Sequence, residues 1–353
     1  MSADSSAVLG DSGSPLCERY DVALLDLDGV VYVGPDAVPG VPRALEAARG
    51  HGMRLAFVTN NAARPPEVVA AHLRKLGVST DPAEVITSAQ AAAHYLAERL
   101  PPGSRVLVVG TSGLFEALRE RGLSPVQTAD DDPAAVVQGY SPDIDWRMLS
   151  EGAVAIRRGV PWVATNLDST VPSPRGPLPG NGSLVAALRA ATGREPVATG
   201  KPDPTMHRES VERSAARRPI VVGDRLDTDI EGARRVGCDS LVVLSGVTDA
   251  GQLIDARPDR RPTYLAHDAG GLLVRHAAPV IVGADVRCGT WSVGSEGRLV
   301  SSADPRPDNS DDLDALRALC VSRWSRGWST PSAGDEPARS ELARLGLGSS
   351  GSG

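Results

Sequence analysis

The stretch VALLDLDGVVY, residues 22–32, decides how this chain is read. An aliphatic run suited to a buried strand ends in Asp26 and Asp28, one residue apart, with Gly29 next. Alternate side chains of an extended segment point the same way, so two acids at a strand end face one small volume. Their mutual repulsion needs a reason.

Runs of the same kind lie outward from it: RLAFVT (54–59), PIVVGD (219–224) and SLVVLS (240–245). Each is continuously apolar, the pattern of a parallel sheet covered on both faces. Between them PPEVVAAHLRKLG (65–77) opens on prolines and closes on Gly77, the start and stop signals of a helix. RVLVVG, LFEALRERG, AAVVQGY, WRMLSEGAVAIRRG and PWVAT, within 105–165, repeat the alternation as a second unit inserted into the first. The fold expected is α/β: a Rossmann-like doubly wound parallel core (20–87 plus 197–268) with an inserted α/β cap (88–196). A small C-terminal α+β appendage (269–330) follows, with a hairpin around Gly294 and Gly297 and an amphipathic helix over DDLDALRALCVSRWS (311–325). Residues 1–19, rich in Ser, Gly and Asp, read as a flexible leader, and 331–353, ending LGLGSSGSG, as a flexible tail.

Composition narrows the function. With 353 residues, 41% hydrophobic and 23% charged, the chain has the makeup of a folded globular protein with more than one domain. A net charge of -7 and a pI near 5.5 argue against general affinity for nucleic acid or anionic membrane, leaving small molecules as partners. No segment approaches the roughly 20 apolar residues of a membrane span, and the N-terminus lacks a secretion signal, so a cytoplasmic location is expected. Cys17, Cys238, Cys288 and Cys320 form no CxxC pair, and the six histidines show no HxH or HExxH spacing.

Polar residues follow several strand ends: Asp26 and Asp28, then Thr59 and Asn60, then Asp224. In open α/β sheets the ligand lies beyond the carboxyl ends of the strands, so these residues are expected to converge. Three carboxylates there would raise one another's pKa unless a cation joined them. Magnesium takes hard oxygen ligands from carboxylates, phosphate and water. Lys201, in GKPDP, adds a charge that suits a phosphate, and Thr59 a hydroxyl. Taken singly, an acidic pair is a turn or cap and a lysine before proline is solvated; the order and spacing together point to phosphoryl transfer.

DLDGVVY, VTNNAARPP, GKPDP and GDRLDTDI resemble the four ordered motifs of haloacid dehalogenase-like phosphatases with a large α/β (C2a-type) cap, the subgroup of 4-nitrophenyl, phosphoglycolate, pyridoxal and nucleotide phosphatases. The resemblance implies Asp26 as nucleophile, forming an aspartyl phosphate, and Asp28 as general acid and then base. It implies that Thr59 and Asn60 hold the phosphoryl oxygens and that Lys201 neutralises Asp26 and the phosphate. Mg2+ would be held by Asp26, the Asp28 backbone carbonyl and Asp224, with Asp229 orienting the site from outside the ligand set. The two acids then divide the work, which answers the repulsion. Asn166 and Asp168, in the Pro/Gly-rich stretch 164–184, stand open between substrate recognition and loop structure. Caps of this type often pair, implying a homodimer.

The layout is similar to mycobacterial glycerol 3-phosphate phosphatases that carry a C-terminal acetyltransferase-like segment. That implies glycerol 3-phosphate as substrate, with 2-phosphoglycolate next. The appendage lacks the RxxGxG/A pattern that would hold acetyl-coenzyme A, and no acetyl transfer is expected. Pyridoxal phosphate or a nucleotide would call for a stacking platform from an aromatic content of 3%, with Trp146 and Trp162 as candidates. A catalytically silent phosphometabolite-binding regulator is the reading from another class. It is disfavoured because Asp26, Asp28, Thr59, Lys201 and Asp224 are all present.

Overall fold

The computed structural model describes residues 9–171, 175–302 and 311–348. A six-stranded sheet runs in the order Tyr264–Ala266, Asp239–Val243, Pro219–Gly223, Val22–Leu25, Arg54–Thr59, Val85–Thr87. Its strands pair in parallel, Val22 facing Pro219, Ile220 facing Asp239, Leu241 facing Tyr264 and Phe57 facing Val85. Val22–Leu25 is buried throughout, as its unbroken apolar run requires. The helix expected after the second strand covers Pro66–Lys75. A second, all-parallel sheet follows the order Val197–Ala198, Trp162–Ala164, Ala135–Gln138, Arg105–Val109, Ser124–Val126.

By packing, the chain forms two compact units: the described residues of 1–33, 37–55 and 217–353 in one, and 34–36 with 56–216 in the other. These limits differ from the expected cap of 88–196. Strand Val197–Ala198 completes the second sheet, and helix Ser88–Ala97 packs on both Ser112–Glu120 and Pro204–Arg213, which gathers the flanking segments into that unit.

The C-terminal region holds the expected hairpin and corrects two other expectations. The hairpin around Gly294 and Gly297 joins Trp291–Val293 to Arg298–Ser301; with Val280–Val282 and Asp285–Cys288 it forms an antiparallel meander, closed by Ser332–Ala333 lying parallel to the last strand. Helix Asp314–Arg326 is buried at every position from Asp314 to Ser322, because it lies between this sheet and the core: Leu316 and Leu319 share one cluster with Val286, Val293 and Leu299 and with Ile254 and Leu265. Periodicity misleads where a helix is enclosed on all sides. The tail expected to be flexible holds helix Glu336–Arg344, whose Ala338 and Leu342 are buried. Asp335 caps it through Ala338 N at 2.8 Å and also accepts from the Ser301 amide at 2.8 Å. Residues 349–353 lie outside the described residues.

The leader is corrected in the same way over residues 9–19. Leu9, Leu16 and Cys17 are buried, Leu16–Arg19 is helical, and the Gly10 amide donates to the Thr263 carbonyl at 2.8 Å. Three apolar anchors are too few to show a period. Residues 1–8 lie outside the described residues.

Candidate active site

The site residues fall into two sets, one on each unit. In the first, the strand Val22–Leu25 delivers Asp26, whose amide donates to Val222 O at 2.9 Å. Two residues on, Asp28 is exposed, and Tyr32 Oη donates to its carboxylate at 3.4 Å. Between them and the next turn stands Gly29 at φ 80, a left-handed conformation that favours glycine. A Cβ there would lie 2.2 Å from Asp224 Oδ2. Side-chain hydroxyl Ser245 Oγ donates to the Gly29 carbonyl at 2.6 Å, tying the turn to the loop after Asp239–Val243.

Asp224 follows the strand Pro219–Gly223 and is buried, its Oδ2 accepting the Val247 amide at 2.7 Å. A Cβ on Gly246 would sit 2.0 Å from that oxygen. Asp229 is buried in a single π-helical turn, Leu226–Ile230, a distortion frequent at functional sites. Its Oδ2 accepts the Arg225 amide at 3.2 Å, and Gly223 leaves room for its Cβ. Burial would raise the neighbouring Asp227 carboxyl, but two hydrogen bonds from Arg225, at 3.1 and 3.0 Å, hold it below the usual range.

Carboxylate oxygens of Asp26, Asp224 and Asp229 lie within 4.8 Å of one another. Three hard oxygen donors closed in by glycines fit a magnesium ion and suit no soft metal. Asp229, expected outside the ligand set, has a carboxylate oxygen within the same 4.8 Å limit.

The second set is held by the other unit. Thr59 ends Arg54–Thr59 and is buried, its Oγ1 accepting the Asn61 amide at 3.1 Å. Lys201 is buried, with Nζ donating to the Val58 carbonyl at 3.1 Å. Asn60 grips the Lys201 backbone: its Oδ1 accepts the Lys201 amide at 2.8 Å, and its Nδ2 donates to the Lys201 carbonyl and to Asp168 Oδ2, each at 3.1 Å. Asn166, also buried, donates to the Asn60 carbonyl at 2.7 Å. Asn166 and Asp168 therefore both bond to Asn60. Residues 172–174 of the same stretch lie outside the described residues.

Sequence reasoning missed several supporting groups. Ser88 Oγ donates to the Asn60 carbonyl at 2.6 Å, and buried Asn181 donates to the Asn166 carbonyl at 2.8 Å. The signals available were the glycines: Gly246 follows a strand end, and Gly200 precedes Lys201, where a Cβ would meet Thr165 O at 2.3 Å.

Residues 23–124 match the family described as haloacid dehalogenase-like hydrolase, and 198–272 a HAD-hydrolase-like family. Residues 288–347 match a GCN5-related N-acetyltransferase-like domain. The chain is 43% identical to the D-glycerol 3-phosphate phosphatase of Mycobacterium tuberculosis over 94% of its own length and 96% of the relative's. It is 36% identical to an acid sugar phosphatase of Staphylococcus aureus over 65% of its length and 89% of that protein. The crystal structure of the M. tuberculosis glycerol phosphate phosphatase with magnesium superposes with a TM-score of 0.86 at 43% identity, covering 95% of this chain and 99% of that one. The p-nitrophenyl phosphatase of Archaeoglobus fulgidus gives 0.67 at 28%, covering 72% and 98%. With the motifs, the carboxylate cluster and these likenesses in agreement, the chain belongs to the haloacid dehalogenase-like hydrolase family.

Proposed function

We propose that glycerol 3-phosphate is the substrate of this enzyme, a magnesium-dependent phosphatase, and that the phosphoryl group passes through Asp26. The gathering of Asp26, Asp224 and Asp229 within 4.8 Å carries the reading, because it assembles a hard-cation site around a nucleophile at a strand end. Similarity along nearly the whole chain to a glycerol 3-phosphate phosphatase supports the substrate.

In this reading Asp26 attacks phosphorus as the ester P–O bond breaks. Asp28, exposed beside it, protonates the leaving alkoxide. The aspartyl phosphate is then hydrolysed by water that Asp28 deprotonates, which restores both acids. Thr59 and Lys201 counter the charge on the transferring oxygens. Asp26 and Asp224, with Asp229 beside them, would hold a magnesium ion, which would supply charge neutralisation for the phosphoryl group. No helix among the described residues is long and apolar enough to cross a membrane. A cytoplasmic location and a homodimer complete the proposal; four unpaired cysteines fit a reducing compartment.

Phosphate release is measured from glycerol 3-phosphate, 2-phosphoglycolate, a sugar phosphate, pyridoxal phosphate and a nucleoside monophosphate, with magnesium and with Asp26→Asn as blank. The highest kcat/KM is expected for glycerol 3-phosphate, with no turnover by the variant. Preference for another ester would replace the substrate, and silence across the panel would leave a binding protein.

A further inference from the structure

We infer that Asn60 is a positioning residue that sets the place of Lys201, and that its side chain is not a ligand of the phosphoryl group. This rests on the phosphatase reading for its meaning, but the geometry is independent of it. A carboxamide has two N–H donors and one oxygen acceptor. In Asn60 both kinds are committed: Oδ1 to the Lys201 amide at 2.8 Å, Nδ2 to the Lys201 carbonyl and to Asp168 Oδ2, each at 3.1 Å. Donation to a phosphoryl oxygen would have to displace one of these bonds.

The arrangement grips Lys201 at three points from one short segment. Asn60 takes the backbone N–H and C=O, and Val58 O takes Nζ at 3.1 Å. Asn60 is itself anchored, because its carbonyl accepts Ser88 Oγ at 2.6 Å and Asn166 Nδ2 at 2.7 Å. Gly200 makes the approach possible: a Cβ there would lie 2.8 Å from Asn60 Oδ1 and 2.3 Å from Thr165 O. The field of an ammonium acting as a point charge falls with distance, so fixing the main chain that bears it sets how strongly the charge acts. A misplacement of about 1 Å costs on the order of a hundredfold.

The test is a double-mutant cycle of Asn60→Ala and Lys201→Ala in the magnesium-loaded full chain. Affinity for inorganic phosphate is read by calorimetry and kcat by steady-state kinetics. A residue that acts through Lys201 loses its effect once the lysine is gone. Asn60→Ala is expected to weaken phosphate binding and kcat by roughly ten- to a hundredfold in the native background and to change neither in the Lys201→Ala background. Equal losses in both backgrounds would overturn the inference and give Asn60 its own contact with phosphate. Gly200→Ala removes no polar group and serves as well if Asn60→Ala fails to fold. It should reproduce the loss, and wild-type values from it would also overturn the inference. Phosphate binding without turnover of any ester would sink the phosphatase reading while leaving the cycle readable.

Discussion

Two charged clusters share one compact unit and are built on opposite plans. Around Asp26, three carboxylates bring oxygens within 4.8 Å of one another, and glycines at 29 and 246 crowd one of them. Around Arg317, signs alternate. Its Nη2 donates to Asp311 Oδ2 at 2.6 Å and to the Leu265 carbonyl at 2.9 Å, and its Nη1 reaches Asp311 Oδ1 and, at 3.1 Å, Asp314 Oδ1. Burial would raise the Asp311 carboxyl, yet the hydrogen bond and charge of Arg317 hold it below its ordinary value. A cluster that balances itself serves packing, here that of the enclosed helix Asp314–Arg326. Carboxylates gathered into one small volume suit a divalent cation and so serve chemistry.

The contrast can be broken at either cluster. Asp224→Asn should cut the rate of ester hydrolysis at least about a thousandfold, roughly 4 kcal/mol of barrier, while leaving the melting temperature unchanged or raised, since one like charge goes. A parallel fall in stability would place Asp224 with the structural cluster. Arg317→Ala should do the reverse: denaturant melts lose about 3–5 kcal/mol because buried Asp314 and half-buried Asp311 are left without their cation, while kcat of the folded enzyme is kept. Loss of activity at full stability would contradict it.

Gly246→Ala sets a Cβ against Asp224 Oδ2 and should raise the magnesium concentration for half-maximal rate about tenfold. An unaltered magnesium titration would remove Gly246 from the site. The smallest effect concerns pH. Burial pushes the His276 pKa down, and the nearby Arg317 charge adds to this, against the Nε2 contact with Gly271 O at 2.8 Å and the charge of Asp311. The unfolded chain then binds more protons than the folded one. This contribution is whole above the ordinary value near 6.5 and is lost as pH falls toward the folded pKa. His276→Gln should flatten the stability profile below about pH 6.5 by at most one proton's worth of slope. An identical profile would rule His276 out as its source.

Much of this architecture is legible in the order of the residues. The central strands announced themselves because both faces are covered, so their apolar runs are unbroken. Asp26, Asp224 and Lys201 stood out because each follows a strand or opens a short polar motif, a local relation that survives in one dimension. The role of Asn60 did not: it depends on Lys201, 141 positions away, and on which atoms of a carboxamide are already taken. The closeness of Asp229 to Asp26 and Asp224 rests on a π-helical turn that no periodicity signals.

The α/β architecture, the ordered motifs and the chemistry they permit are written in the order of the residues, since they depend on residue type and short spacing. The packing of the chain ends and the hydrogen-bond partners of each polar group in the site come from folding. Leu9, Leu16 and Leu342 are sparse anchors whose burial is created by distant partners. Likewise, whether a polar group serves a ligand or a neighbour is decided by the atoms that folding brings within hydrogen-bond reach.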